Sequence, residues 1–154
     1  MAPTPTERLA SLRLELPPPP RPAGSYAPAI VDGSFVWVSG QIVVDAGAAV
    51  HPGSVGGDVT PEVARELCRK ASLQALSAAA QAAGSLDRIR RIVRVVVYVA
   101  SAPGFVRQHE VANGATEILQ ELFGDAGRPA RAAVGVVALP LNAPVEVELI
   151  AALA

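Results

Sequence analysis

Apolar and polar positions mark out the second half of the chain most clearly. Across residues 92–100 β-branched side chains dominate, interrupted by Arg94, Tyr98 and Ala100, which predicts a strand central to a sheet. Ser101-Ala102-Pro103-Gly104 breaks it. Residues 105–123 then place Val111, Ala115, Ile118, Leu119 and Leu122 at helical spacing, with Gly124 and Gly127 as stops. Residues 132–138 and 145–153 read as two closing strands around Leu139-Pro140-Leu141-Asn142-Ala143-Pro144.

The first half is more broken. Residues 6–14 can form a short amphipathic helix, and Pro17 to Pro20 followed by Arg21 and Pro22 must run extended. Residues 26–30 and 35–39 are strand-like around the turn chemistry of Asp32-Gly33-Ser34, which predicts a hairpin. Residues 41–50 continue as a bent or short strand before a glycine-rich loop up to Asp58. Thr60 as N-cap, Pro61 at the first helical position and Gly84 as a stop bracket a helix. Its small-residue stripe, Leu67, Cys68, Ala71, Ala75, Ala78, Ala79 and Ala82, lets it lie close on a sheet.

The order of elements predicts an α+β fold: one mixed β-sheet with two helices packed on one face. Residues 1–23 form an N-terminal helix and proline-rich lead-in, and residues 24–154 a single domain. A sheet whose other face is also apolar needs a partner, and identical subunits in a ring supply one. Composition agrees, since 51% of residues are hydrophobic and only 18% charged, below the roughly 25% charged of ordinary soluble domains.

Charge and cysteine usage narrow the function classes. A net charge of −1 provides no global field for nucleic acid or an anionic membrane. Pro3, Pro5, Glu7, Arg8 and Glu15 interrupt the start where a signal peptide needs an apolar run, and no later run approaches the roughly 18 apolar residues of a membrane span. The lone Cys68 excludes an internal disulfide and a multi-cysteine metal site, and together these features predict a cytoplasmic protein. GxGxxG, Walker A, HExxH and paired CxxC motifs are absent. His51 and His109 read as solvated residues, so neither a metal nor a cofactor is expected. Arg88, Arg90, Arg91 and Arg94 have no interleaved aromatics for base stacking and read as a solvated cluster. Arg131 differs: it opens an apolar strand, where its planar fork of donors can meet a carboxylate or simply form an ion pair.

Five fragments in order resemble the YjgF/RidA reactive-intermediate deaminases, a family also labelled L-PSP endoribonucleases. They are Gly24-Ser25-Tyr26-Ala27-Pro28-Ala29, Val38-Ser39-Gly40-Gln41-Ile42, Val95-Val96-Val97-Tyr98-Val99, Pro129-Ala130-Arg131, and Ala138-Leu139-Pro140 with Val145-Glu146-Val147-Glu148. The N-terminal segment and the helix around Asn113-Gly114-Ala115-Thr116 resemble a longer branch of that family. The resemblance implies a chorismate-mutase-like homotrimer with ligand sites in the clefts between subunits. It further implies hydrolytic deamination of 2-imino or enamine acids to 2-keto acids and ammonia. Arg131 would grip the substrate carboxylate and Glu146 would position the attacking water. Tyr26 would form an aromatic wall, with Ser39, Gly40 and Thr116 lining the cleft. Ala133 stands where the family usually has cysteine, two residues after the arginine, a change expected to shift substrate preference.

Arg131 and Glu146 sit near the starts of successive strands between which the chain reverses. About six or seven residues at 3.3 Å each would separate them by about 20 Å within one sheet. Arg131 of one chain is therefore expected to face Glu146 of its neighbour. The rival readings are a non-catalytic binder of small carboxylates, an endoribonuclease, and chorismate-mutase-like chemistry, for which only one cleft cation can be assigned.

Overall fold

A computed structural model describes residues 2–154. Strands β1 (Ala29–Asp32), β2 (Phe35–Gln41), β5 (Ile89–Ala100), β6 (Ala130–Val136) and β7 (Val145–Leu153) form a five-stranded sheet in the order β1-β2-β7-β5-β6. The pair β5 and β6 is parallel and the other neighbours are antiparallel. Helices α2 (Pro61–Ala83) and α3 (Gln108–Phe123) cover one face, so the fold is mixed α+β as expected. The short strands β3 (Val44–Asp45) and β4 (Ala48–Ala49) make a separate ribbon. Gln41 thus ends β2, and residues 44–49 form a tiny hairpin, turned by Ala46 and Gly47 at positive φ, in place of a continued strand.

Local chemistry explains the boundaries. Thr60 accepts from the Val63 N–H at 3.3 Å and Gly84 adopts φ 90, so α2 starts and stops where its cap residues require. The hairpin of β1 and β2 turns through Gly33 and Ser34, with Asp32 opposite Phe35. Pairing of β1 begins at Ala29 and not at Tyr26, because Pro28 has no N–H to donate and the preceding residues form a bent loop. In the same way β6 begins just after Pro129, earlier than expected, and ends at Val136, with Val137 95% exposed. Helix α3 starts at Gln108 because residues 101–107 are spent on a turn, where Gly104 takes φ 81 and the Phe105 N–H returns to Ala102 O.

The core lies between the sheet and the helices. Val95, Val97 and Val99 of β5 and Val145, Val147, Leu149 and Ala151 of β7 face Leu67, Cys68, Ala71 and Ala75 of α2 and Val111, Ala115, Ile118, Leu119 and Leu122 of α3. The small-residue stripe of α2 ends on Ala83, since Ala82 is exposed. Helix α1 (Pro5–Ser11) starts with a capping box between Thr4 and Glu7. It buries Leu9 in the same core, with Leu14 and Leu16 packed against it, so the N-terminal segment is a third helix docked on the domain. The opposite face of the sheet carries Ile30, Trp37, Val96, Tyr98 and Ile150, with Ile30 and Trp37 about half exposed.

Helices α2 and α3 touch at Gly114, where a Cβ would run into the backbone carbonyl of Arg65. Alanine would favour an isolated helix by about 0.8–1.0 kcal/mol over glycine, yet here it must push two packed helices apart. Gly114→Ala is therefore expected to cost a net 1–2 kcal/mol or so and lower the thermal midpoint by about 3–6 °C, read by calorimetry. A midpoint equal to or above wild type would show that the helices part freely.

Candidate functional site

The guanidinium of Arg131 is held entirely by neutral acceptors on α3. Its Nη1 donates to Asn113 Oδ1 at 2.7 Å and Thr116 Oγ1 at 3.3 Å, and Nη2 donates to the His109 carbonyl at 3.3 Å. His109, Asn113 and Thr116 lie at i, i+4 and i+7, one face of the helix. Three arginines of α2 and the start of α3 contrast with this: Arg65 pairs with Glu117, Arg69 with Glu121 and Arg107 with Glu110. Arg131 thus keeps its full charge while its direction is fixed. It lines a cavity of about 230 Å³ with Thr116, Gln120, Arg128 and Pro129.

Arg131 pairs across the ladder with Val95, a core residue, and so points to the helix face. Ala133, opposite Val97, lies on the same face and packs against the core. Behind them sits Cys68, fully buried on α2; burial pushes its thiol up to about 12, against a smaller opposing effect of the Arg131 charge. A thiol so placed is a neutral packing group, as the helix pattern predicts.

Glu146 belongs to the other side. It pairs with Tyr98, and alternation along β7 puts it on the face away from the helices. Desolvation, then the negative charge of Glu148, raises its pKa above the ordinary carboxylate value. A side chain at position 40 would collide with its carboxylate, which is why glycine stands there, next to the register shift between Val38 and Gln41. Glu146 lines a cavity of about 490 Å³ together with Tyr26, Gly40, Gln41, Gln74 and Arg21.

Tyr26 is half exposed on the loop before β1, and its hydroxyl accepts from the Ala23 N–H at 3.4 Å. The Ser39 hydroxyl donates to Ala27 O at 2.7 Å, so it anchors the Tyr26 loop. Gln74 donates to Gln41 Oε1 at 3.0 Å, and Gln41 donates to Ser39 O at 3.0 Å, forming a polar floor. Sequence reasoning missed this amide pair, the proline wall of Pro20 and Pro22, and Asn113. Only Asn113 left a local signal, its spacing of three from Thr116 on one helix.

Within one chain the expected residues therefore fall into two groups. Tyr26, Ser39, Gly40 and Glu146 gather at one place, and Thr116, Arg131 and Ala133 at another. The strands carrying Arg131 and Glu146 are not neighbours, because β5 lies between them. Three residues along β5 and two strand spacings put their Cα atoms about 14 Å apart, less than the about 20 Å expected from the turn alone. The opposite facing of the side chains, more than the distance, keeps them apart.

Among the described residues no group of three metal-ligating side chains occurs, and no helix is long and apolar enough to cross a membrane. The sequence profile of the family described as "YjgF/chorismate_mutase-like, putative endoribonuclease" matches residues 6–153. Protein TCP17 of Trypanosoma cruzi is 38% identical, over 91% of this chain and 88% of its own length. A 2-iminobutanoate/2-iminopropanoate deaminase of Dermatophagoides farinae is 30% identical, over 89% and 92%. The crystal structure of a Shewanella oneidensis protein with the same endoribonuclease description superimposes with a TM-score of 0.91 at 34% identity, over 97% of this chain and 99% of the other. Profile, relatives and fold agree along nearly the whole length, and the chain belongs to the YjgF/RidA family.

Proposed function

We propose that the protein hydrolyses small 2-imino acids, or their enamine tautomers, to 2-keto acids and ammonia, in a cleft completed by a second subunit of a homotrimer. The observation that carries this reading is the Arg131 guanidinium, oriented by three neutral acceptors and paired with no carboxylate among the described residues. A planar donor fork so held is preorganised for a substrate carboxylate. The deaminase named among the relatives acts on substrates of this class by its name.

Glu146 supplies the complementary function. Its raised pKa makes it a better proton acceptor than an ordinary carboxylate, and the cavity it lines has room for a water molecule. The water adds to the imine carbon as its proton passes to Glu146. That proton passes on to nitrogen to give the carbinolamine; the proton of the new hydroxyl then follows to nitrogen by way of Glu146 as the carbonyl forms, the carbon–nitrogen bond breaks, and ammonia and the keto acid leave. Imines hydrolyse in water unaided, so positioning and one base suffice. Because Arg131 and Glu146 face opposite sides of one sheet, the substrate meets Arg131 of one chain and Glu146 of the next. His51 and His109 are exposed, and neither side chain lines either cavity, which leaves the endoribonuclease reading without a general base of its own.

Arg131→Ala is expected to lower kcat/KM for 2-aminoacrylate, generated by a dehydratase, by at least about a hundredfold, and Arg131→Lys to recover only part of it. Unchanged removal of the imine would refute the carboxylate clamp. Co-refolding equal amounts of Arg131→Ala and Glu146→Gln chains, each inactive alone, is expected to restore about a quarter of wild-type activity, since one site in four then combines two intact halves. No recovery in mixed oligomers would place both groups in one chain's site. The acidic limb of the kcat/KM profile should follow Glu146: as pH falls through its raised pKa the base is protonated, so activity fails at a pH above the ordinary carboxylate value of 4.5. A limb at or below that value would exclude Glu146 as the base.

A further inference from the structure

The cavity at Arg131 holds a second guanidinium. Arg128 lines it beside Thr116, Gln120 and Pro129, and no acidic side chain does. Arg128 makes no ion pair or side-chain hydrogen bond among the described residues. Its backbone is set on one side by the tight turn at Gly124–Gly127, to which its N–H donates, and on the other by Pro129. Two like charges that share a small cavity repel each other, whereas Arg65, Arg69 and Arg107 each have a carboxylate. Gln120 and Thr116 add neutral groups able to bond an anion's oxygens.

We infer that this cavity selects a doubly anionic ligand, a 2-imino acid with a second carboxylate on its side chain, with one carboxylate on Arg131 and the other on Arg128. The inference rests on the deaminase reading for the imine but on Arg128 alone for the second charge. Three residues of chain put the Cα atoms of Arg128 and Arg131 at most about 10 Å apart, and the bend where the Gly124–Gly127 turn meets β6 brings both side chains to one cavity. Arginine side chains reach well beyond half that distance, so a four- or five-carbon dicarboxylate spans the interval between their heads. Arg128 is then a specificity-determining residue: it leaves the hydrolytic step to Arg131 and Glu146 and raises affinity for one substrate class.

Calorimetric binding of the keto-acid products separates this idea from the catalytic one, because it needs no turnover. Wild type is expected to bind 2-oxoglutarate about tenfold or more tightly than 2-oxobutanoate at moderate ionic strength. Arg128→Gln, which keeps hydrogen bonding but not charge, should erase that preference by weakening 2-oxoglutarate about tenfold more than 2-oxobutanoate, whereas Arg131→Ala should weaken both alike. Equal affinities in wild type, a preference that survives in Arg128→Gln, or binding of neither acid would overturn the inference. Failure of imine hydrolysis with the dicarboxylate preference intact would instead overturn only the deaminase reading.

Discussion

Side chains on a strand alternate between two faces, and β5 transmits that alternation to both of its neighbours. With β6 it pairs in parallel and with β7 antiparallel, so the register of one strand decides where Arg131 and Glu146 point. Val95 and Val97 pull Arg131 and Ala133 toward the helices; Tyr98 leaves Glu146 on the opposite face. A slip of one residue at the β7 ladder would turn Glu146 toward the helices and expose Val145, Val147 and Leu149 at the same time, while on β6 Ala133, packed against the core, holds the register. The hydrophobic demand of the core thus enforces the placement of the polar groups.

The helices complete what the sheet begins. Thr60 and Gly84 set the span of α2, and its alanines and Cys68 let α3 approach closely enough that Gly114 rests on the Arg65 carbonyl. That approach brings His109, Asn113 and Thr116 over the start of β6, where they orient Arg131 without neutralising it. An aspartate at position 113 would hold the guanidinium as well but cancel its charge. Holding a cation with amide, hydroxyl and carbonyl oxygens preserves the field that an incoming anion meets.

Glu146 shows the complementary arrangement. Gly40 clears space for its carboxylate, Ser39 ties down the loop bearing Tyr26, and beneath the cavity Gln74 donates to Gln41, which donates in turn to the Ser39 carbonyl. Burial and Glu148 then raise its pKa above the ordinary carboxylate value. The proline-rich lead-in serves here as a wall, since Pro20, Arg21 and Pro22 close one side of the same cavity. Stiff polyproline geometry suits a wall, because its prolines surrender little conformational freedom on docking.

The amino-acid sequence by itself determined the elements and their class. Caps such as Thr60 and Gly84, the valine run of β5 and the periodic apolar face of α3 are local signals, and the elements they mark are present, with β5 starting three residues earlier and α3 three residues later than read. The resemblance of five short fragments also singled out Arg131 and Glu146 without coordinates. Tertiary structure alone decided the pairing order, because nothing local in β6 or β7 records that β5 lies between them. It decided the Asn113 contact, the Gln41–Gln74 pair and the shared cavity of Arg128 and Arg131, each of which joins residues brought together by packing of separate elements or, for the two arginines, by a turn and a proline aiming both heads at one space. Local propensity acts over a few residues, whereas a cavity is made by the surfaces of several elements, and those surfaces exist only once the core has closed.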